Sequence, residues 1–260
     1  MKRKGSFLKL LLFKTLSFEK YLYALSKFYF FSYKTGRLKN NPDYSYHYFL
    51  KNLINPGDTV VDIGANLGYY TCNFAKWVGA QGKVVSYEPV RPVMNVLKRN
   101  VAGRKNVTLK PYALGEETKR ITLVNMTKTT TGYIASGSHF ILEEKNVLDP
   151  DVETFDAEMK EASQELTSLG RIDFIKCDVE GYEVIILTNA IKILEQEKPL
   201  LLVESHGENR KKVLRMMTQL GYNGYILKDM KLLPYKELDD THTDIVFIPT
   251  EKEGCIELYK

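Results

Sequence analysis

Short apolar runs alternate with amphipathic stretches along most of the chain after residue 56. The apolar runs predict strands at residues 59–63, 83–87, 107–111, 172–177, 200–203, 225–227 and 244–248. Helical spacing of apolar residues predicts helices at residues 69–78, 92–101, 182–195 and 209–220. Strands that alternate with helices in this way form a mostly parallel sheet with helices on both faces.

The last two predicted strands have no helix between them, because residues 228–242 are polar and turn-like. Strands without a crossover helix pair in opposite directions, so the sheet should close with an antiparallel strand. The pattern therefore predicts a Rossmann-like α/β fold with a mostly parallel seven-stranded sheet and a final antiparallel strand.

The chain before residue 56 has a different character, because it is helical, aromatic and basic. Apolar residues recur there with helical spacing at Leu8, Leu11, Leu12 and Leu16, and again at Tyr21, Leu22, Leu25 and Phe28. We interpret residues 1–55 as a helical extension packed on a domain formed by residues 56–260. A second interpretation is a helix that contacts a membrane surface or a substrate, because basic and aromatic residues interleave within residues 1–30.

Residues 118–171 form an insertion between the third and fourth predicted strands. Stretches rich in Thr, Ser and Gly at residues 127–132 and 136–138 indicate a loop or hairpin. Residues 153–169 are acidic and amphipathic, which predicts a surface helix. The insertion lies near the carboxyl ends of the strands, where open α/β sheets bind ligands.

The composition is that of an ordinary globular protein, with 44% hydrophobic and 27% charged residues. The formal net charge is +5, and much of the excess lies in residues 1–39, where Glu19 is the only acidic residue. Nucleic-acid-binding domains usually concentrate more positive charge, so a nucleic-acid partner is not expected. Three cysteines without a C-x-x-C pair favour a reducing compartment, and no apolar run reaches the roughly 18–20 residues of a membrane helix. We therefore expect a cytoplasmic protein.

The strongest chemical signal is the sequence VVDIGANLGYY at residues 60–70, in which a buried strand leads into a glycine-rich turn and a helix. A dinucleotide-binding turn prefers G-x-G-x-x-G, whereas Gly64 and Gly68 have the spacing G-x-x-x-G. Asp62, just before the turn, would repel a phosphate but suits a cationic ligand. S-adenosylmethionine (SAM) carries a sulfonium and an ammonium group, so the turn predicts a SAM site.

A second acidic residue, Glu88, ends the second predicted strand. An acid at this position binds ribose hydroxyls in nucleoside-binding folds, which fits the same ligand. By topology, Tyr112 and Ala113 at the end of the third strand would lie beside the adenine. The candidate cofactor-binding residues are Asp62, Gly64, Asn66, Gly68, Tyr69, Glu88, Pro89, Ala113 and Asp178.

Five titratable residues follow the fourth and fifth predicted strands: Asp178, Glu180, Glu183, Glu204 and His206. Neighbouring parallel strands end at one edge of the sheet, so these side chains should converge on one cleft. Two interpretations remain open for the candidate catalytic residues Asp178, Glu180 and His206. Either Asp178 or His206 is a general base, or the three bind Mg²⁺ or Mn²⁺, which would lower the pKa of an acceptor hydroxyl.

The chain resembles the FkbM-type methyltransferases in several motifs. They are VVDIGANLGYYT at residues 60–71, YEP at 87–89, ALG at 113–115, DFIKCDVEGYE at 173–183 and LVESH at 202–206. The resemblance implies a class I methyltransferase fold, SAM as methyl donor, and O-methylation of a hydroxyl on a natural product, sugar or lipid-linked glycan. Residues 1–55 lie outside the resemblance.

Other functions stay open at this point. An RNA methyltransferase is one alternative, although residues 178–181 read DVEG rather than the Pro-Pro-aromatic string common in enzymes that methylate base amines. A non-catalytic SAM-binding module is another. The sequence does not predict the oligomeric state.

Overall fold

The computed structural model describes residues 12–125, 139–141, 153–236 and 242–259. The strands are, in chain order, β1 (Thr59–Ile63), β2 (Lys83–Tyr87), β3 (Val107–Lys110), β4 (Ala113–Gly115), β5 (Lys119–Asn125), β6 (His139–Ile141), β7 (Glu153–Glu161), β8 (Phe174–Cys177), β9 (Leu200–Glu204), β10 (Tyr222–Lys228), β11 (Lys231–Pro234) and β12 (Asp244–Pro249). They form an eight-stranded sheet in the order β11-β10-β12-β9-β8-β1-β2-β3 and a four-stranded sheet in the order β4-β7-β5-β6.

The helices are α1 (Phe18–Lys34), α2 (Ser45–Phe49), α3 (Tyr69–Trp77), α4 (Arg91–Asn100), α5 (Ala162–Thr167), α6 (Glu183–Asn189), α7 (Ile191–Glu197) and α8 (Gly207–Gln219). Short 3₁₀ segments cover Pro42–Tyr44, Leu50–Asn52 and Thr250–Tyr259. The helix predicted at residues 182–195 is thus two helices, with a break at Ala190. Within the described part of the chain, no helix has the length and apolar character needed to cross a membrane.

The large sheet confirms the predicted fold class. Strands β3, β2, β1, β8 and β9 run parallel to one another, and β12 lies antiparallel between β9 and β10 as the closing strand. An eighth strand, β11, was not predicted. It pairs with β10 through a two-residue turn at Asp229 and Met230, whose φ angles are +50° and +62°. Met at a positive φ is an unusual turn residue, so the sequence carried little signal for this hairpin.

The helix predicted at residues 153–169 is wrong over most of its length. Residues 153–161 form β7, which pairs antiparallel with β5 and parallel with β4, and only Ala162–Thr167 is helical. Phe155, Ala157 and Met159 face inward and alternate with exposed polar residues, which is the period of a strand. The acidic outer face of β7 resembles the polar face of a helix in sequence. The hairpin expected within residues 127–138 lies outside the described residues.

The helix predicted around residues 21–28 is present as α1, whereas most of the helical pattern at residues 8–16 lies outside the described residues. Both α1 and α2 pack on the central domain. Tyr21 and Leu22 of α1 are fully buried in a cluster with Leu67 and Val93. In α2, the Tyr46 hydroxyl donates to the Asp244 carbonyl at 2.9 Å and accepts from the Leu227 amide at 3.0 Å. A side chain outside the sheet therefore completes the backbone hydrogen bonding of β10 and β12.

Replacing Tyr46 with Phe should lower the free energy of unfolding by about 1–3 kcal/mol, because it leaves a buried N–H and a buried carbonyl without partners. Tyr48→Phe is the matched control, since the Tyr48 hydroxyl donates to the Tyr33 carbonyl at 3.1 Å in a partly exposed setting. Urea denaturation followed by circular dichroism measures both values. Equal losses in the two variants would contradict the bridging role of Tyr46.

Candidate active site

A cavity of about 170 Å³ lies at the carboxyl ends of β1, β2, β8 and β9. Ligands bind at this edge of an open α/β sheet. The cavity is lined by Ile63, Gly64, Asn66, Tyr87, Glu88, Pro89, Val90, Tyr112, Ala113, Leu114, Leu123, Asp178, Val179, Glu180, Tyr182, Ile186 and Glu204. Its wall thus combines apolar surface with four carboxyl groups.

The glycine turn between β1 and α3 is shaped first by protein packing. Gly64 has a φ of +75°, and a Cβ there would lie 1.8 Å from the Asp178 carbonyl oxygen. Gly68 has a φ of +85°, and a Cβ there would lie 2.5 Å from Leu97 on α4. Glycine lets the turn pass directly against the end of β8 and lets α3 start close to α4. Gly64 borders the cavity as a result.

Glu88, at the end of β2, holds the glycine turn from the cavity side. One carboxylate oxygen accepts a hydrogen bond from the backbone N–H of Asn66, and the other accepts one from the backbone N–H of Val90, each at 2.9 Å. Burial raises the pKa of Glu88 to about 7, although the two amide donors oppose that shift. A carboxylate has about four acceptor positions, so each oxygen can still accept a bond from a hydroxyl in the cavity.

Lys176 is a buried lysine in the middle of β8. Its Nζ lies 3.1 Å from Asp178 Oδ2, 3.7 Å from Asp62 Oδ1 and 3.1 Å from the Gly64 carbonyl, to which it donates. Burial opposes the charge on Lys176, yet Asp178 and Asp62 raise its pKa above the ordinary value. Sequence reasoning missed this residue. The available signal was one lysine within the apolar strand sequence FIKC, since a buried ammonium requires acidic partners.

Asp178 and Glu204 are hydrogen bonded to each other across the ends of β8 and β9. Burial favours the neutral form of Asp178, but the ammonium of Lys176 outweighs it and lowers the pKa. Burial and the hydrogen bond to Asp178 raise the pKa of Glu204 to about 10. At neutral pH Asp178 is therefore the anion and Glu204 carries the shared proton.

Glu180 lies in the tight turn after β8 with its side chain on the cavity. Its φ is +56°, a left-handed conformation that is uncommon for a non-glycine residue, and Gly181 follows with a φ of +106°. Burial raises the pKa of Glu180 to about 7, with further contributions from Asp178 and Glu183. Backbone strain of this kind is concentrated at functional sites.

Comparison with known proteins assigns the chain to a family. Residues 62–227, more than half of the chain, match the family model described as the methyltransferase FkbM domain. The chain belongs to the FkbM methyltransferase family. These residues therefore form a domain of the SAM-dependent methyltransferase class. No curated protein matches the chain by sequence.

Similar solved structures include an FkbM methyltransferase from Methylobacillus flagellatus, with 18% identity over 78% of this chain and 47% of that one and a TM-score of 0.48. The chain thus spans about half the length of that protein. Fibrillarin from Aeropyrum pernix with bound SAM has 13% identity over 75% and 68% of the two chains and a TM-score of 0.43. An O-methyltransferase from Thermotoga maritima has 14% identity over 79% and 64% and a TM-score of 0.40.

In this FkbM-family chain, most of the candidate cofactor-binding residues line the cavity: Gly64, Asn66, Glu88, Pro89, Ala113 and Asp178. Asp62, Gly68 and Tyr69 do not. Asp62 is fully buried behind the glycine turn and accepts a bond from the Thr71 hydroxyl at 2.6 Å. The centre of the Tyr69 ring lies 4.1 Å from the centre of the Tyr29 ring. Asp62 and Tyr69 therefore pack behind the turn, of which Gly68 is a part.

The candidate catalytic residues also separate. Asp178 and Glu180 border the cavity, whereas His206 does not, and its side chain is 59% exposed with Nε2 3.5 Å from Oε1 of the cavity-lining Glu204. Glu183 is buried and accepts the amides of Val179 and Gly181 at 3.1 and 3.0 Å, so it shapes the turn that carries Glu180.

The arrangement lends no support to the metal-binding interpretation. Among the residues that the structure describes, no three His, Cys, Asp or Glu side chains are grouped so that they could hold a metal ion. His206 is not among the residues that line the cavity with Asp178 and Glu180.

Replacing Lys176 with Met should lower the free energy of unfolding by about 3–5 kcal/mol, because it leaves the buried Asp62 without its counter-ion. Lys119→Met is the matched control: Lys119 pairs with Glu116 and Glu117 at the surface, and its loss should change stability by at most about 1 kcal/mol. Adding Asp62→Asn to Lys176→Met should recover part of the loss. Strictly additive effects in this double-mutant cycle, measured by urea denaturation, would contradict the ion pair.

Proposed function

We propose that this protein transfers a methyl group from SAM to a hydroxyl oxygen of a small-molecule, sugar or glycan acceptor. The observation that carries the proposal is Glu180, a carboxyl group on the cavity wall whose pKa is raised to about 7. A hydroxyl is a weak nucleophile and must lose its proton as it attacks. A base with a pKa near the working pH is suited to remove that proton.

The chemistry of the cavity wall fits SAM. Glu88, Asp178, Glu180 and Glu204 line it, and the described lining residues include no Lys or Arg. Such a wall favours a sulfonium and an ammonium group over the phosphates of a dinucleotide. Glu88 keeps acceptor positions for ribose hydroxyls, and the apolar lining residues provide a surface for adenine. When bound, SAM supplies an electrophilic methyl group on a sulfonium that leaves as a neutral thioether.

Each charged residue then has a distinct part in the transfer. The acceptor oxygen forms a bond to the methyl carbon as the carbon–sulfur bond breaks, and the hydroxyl proton passes to a Glu180 carboxylate oxygen. Asp178 remains ionised because Lys176 neutralises it from behind the cavity. Its negative charge in turn raises the proton affinity of Glu180. The products are a methyl ether and S-adenosylhomocysteine.

Replacing Glu180 with Gln should lower kcat by about 10²- to 10⁴-fold, the usual contribution of a general base. The wild-type rate should rise with pH through about 7, as Glu180 loses its proton, and the variant should lose that limb. Because the folded-state pKa is raised, Glu180 destabilises the fold as pH rises between its ordinary value and about 7. The Gln variant should therefore be more stable than the wild type above neutral pH.

His206→Gln is the control for this experiment, because His206 follows β9 but is not among the residues that line the cavity. Its kcat should stay within about threefold of the wild type, far from the loss expected for a general base. A large loss in His206→Gln together with an unchanged Glu180→Gln would assign the base to His206 instead. SAM affinity measured in parallel separates a binding defect from a chemical one.

Replacing Glu88 with Gln should weaken SAM binding by about tenfold or more, because the charged acceptor for the ribose hydroxyls is lost. Isothermal titration calorimetry measures the dissociation constant directly. Glu117→Gln, on the exposed ion pair with Lys119, should bind SAM like the wild type. Equal affinities in all three proteins would remove Glu88 from the cofactor site.

The atom that receives the methyl group is identified with methyl-labelled SAM and a panel of sugars, glycans, amines and RNA. A methyl ether among the products, recognised by the carbon chemical shift of the label, supports the proposal. Label found only on nitrogen or in RNA would replace it with one of the alternative methyltransferase functions. SAM binding without any product would favour a non-catalytic module.

A further inference from the structure

The outer face of α1 exposes two large aromatic side chains. Phe28 is 64% exposed and Phe31 is 53% exposed, although most of the apolar residues around them on α1 are turned inward. Tyr21 and Leu22 are fully buried, and Phe30 packs on the cluster around Leu97. Phe28 and Phe31 are three residues apart, so they form one ridge on the side of the helix opposite the core.

Basic residues surround this ridge. Lys20, Lys27, Lys34 and Arg37 are exposed at or near the same face of α1. The Arg37 guanidinium lies 5.1 Å from the centre of the Phe31 ring, and the Lys27 ammonium lies 4.6 Å from that of Tyr23.

The one acid of α1 does not oppose this charge. Glu19 is turned toward α4, where it accepts from Asn95 at 2.7 Å and pairs with Arg99 at 3.7 Å. Lys98 of α4 adds a further exposed cation beside α1. The face therefore combines apolar rings with positive charge that its own acid leaves uncompensated.

We propose that this face of α1 docks the protein on an anionic bilayer surface. A helix that lies in the interface plane inserts aromatic side chains between headgroups while Lys and Arg contact anionic lipids. The exposed rings and their basic surround have this arrangement, and α1 at 17 residues is a surface element rather than a spanning one. Binding of RNA would explain the exposed cations, but it would not explain why two large aromatic side chains are exposed between them.

The test is flotation of the purified full chain with vesicles of phosphatidylcholine mixed with phosphatidylglycerol, and with vesicles of phosphatidylcholine alone. We expect binding to the anionic vesicles that falls as salt rises, and little binding to the neutral ones. The double substitution Phe28→Ser/Phe31→Ser should weaken binding by about tenfold or more. Both side chains are exposed, so the variant should keep its fold, which circular dichroism checks.

A matched control removes similar apolar surface elsewhere. Met230 and Leu233 in the β10–β11 hairpin are 39% and 41% exposed, and Met230→Ser/Leu233→Ser should bind vesicles like the wild type. Unchanged binding by Phe28→Ser/Phe31→Ser, or equal binding to neutral and anionic vesicles, would overturn the proposal. So would an RNA oligonucleotide that binds more tightly than the vesicles and loses affinity in Lys27→Glu/Lys34→Glu but not in the Phe variant. None of these outcomes depends on the acceptor that the enzyme methylates.

Discussion

The buried ammonium of Lys176 connects three parts of the chain at the candidate cofactor site. It holds Asp178 at the end of β8, Asp62 at the end of β1 and the carbonyl of Gly64 in the glycine turn. Asp62 and Asp178 could not both stay ionised this close together without a cation between them. The glycine turn passes so near to β8 that any side chain at Gly64 would collide with the Asp178 carbonyl. Charge pairing and close packing therefore hold Lys176, Asp62, Asp178 and the Gly64 turn together at one place, which we call the Lys176 junction.

The contacts of Lys176 also determine which carboxyl groups of the cavity are protonated. Because Lys176 keeps Asp178 ionised, the neighbouring carboxyls experience a fixed negative charge, in addition to their burial. The pKa of Glu204 rises to about 10, and those of Glu180 and Asp244 rise to about 7. The cavity wall thus contains one permanent anion, Asp178, one acid that stays protonated, Glu204, and two that can exchange a proton near neutrality, Glu88 and Glu180. The proposed base chemistry of Glu180 follows from that division.

The N-terminal extension serves the domain from two sides. Inward, His47 stacks on Tyr70 at 3.9 Å and bonds to the Tyr29 hydroxyl at 2.8 Å, which covers the back of the Lys176 junction. Burial, together with the nearby Lys176, lowers the pKa of His47 to about 3, so it adds no charge there. Outward, Phe28 and Phe31 face solvent with their basic surround. The extension thus covers the back of the junction through α2 and presents an aromatic and basic surface to solvent through α1.

The sequence by itself determined the α/β order and the strand ends that carry Gly64, Glu88 and Asp178, because buried strands and glycine turns leave local patterns. It did not separate β7 from a helix, since acidic residues on the outer face of a strand and of a helix look alike over a short stretch. Only the tertiary structure decided that Asp62 lies behind the turn, that His206 is exposed and outside the cavity lining, and that Lys176 joins the acids. Those outcomes depend on which way a side chain points once strands distant in sequence are side by side, and local periodicity holds no record of that.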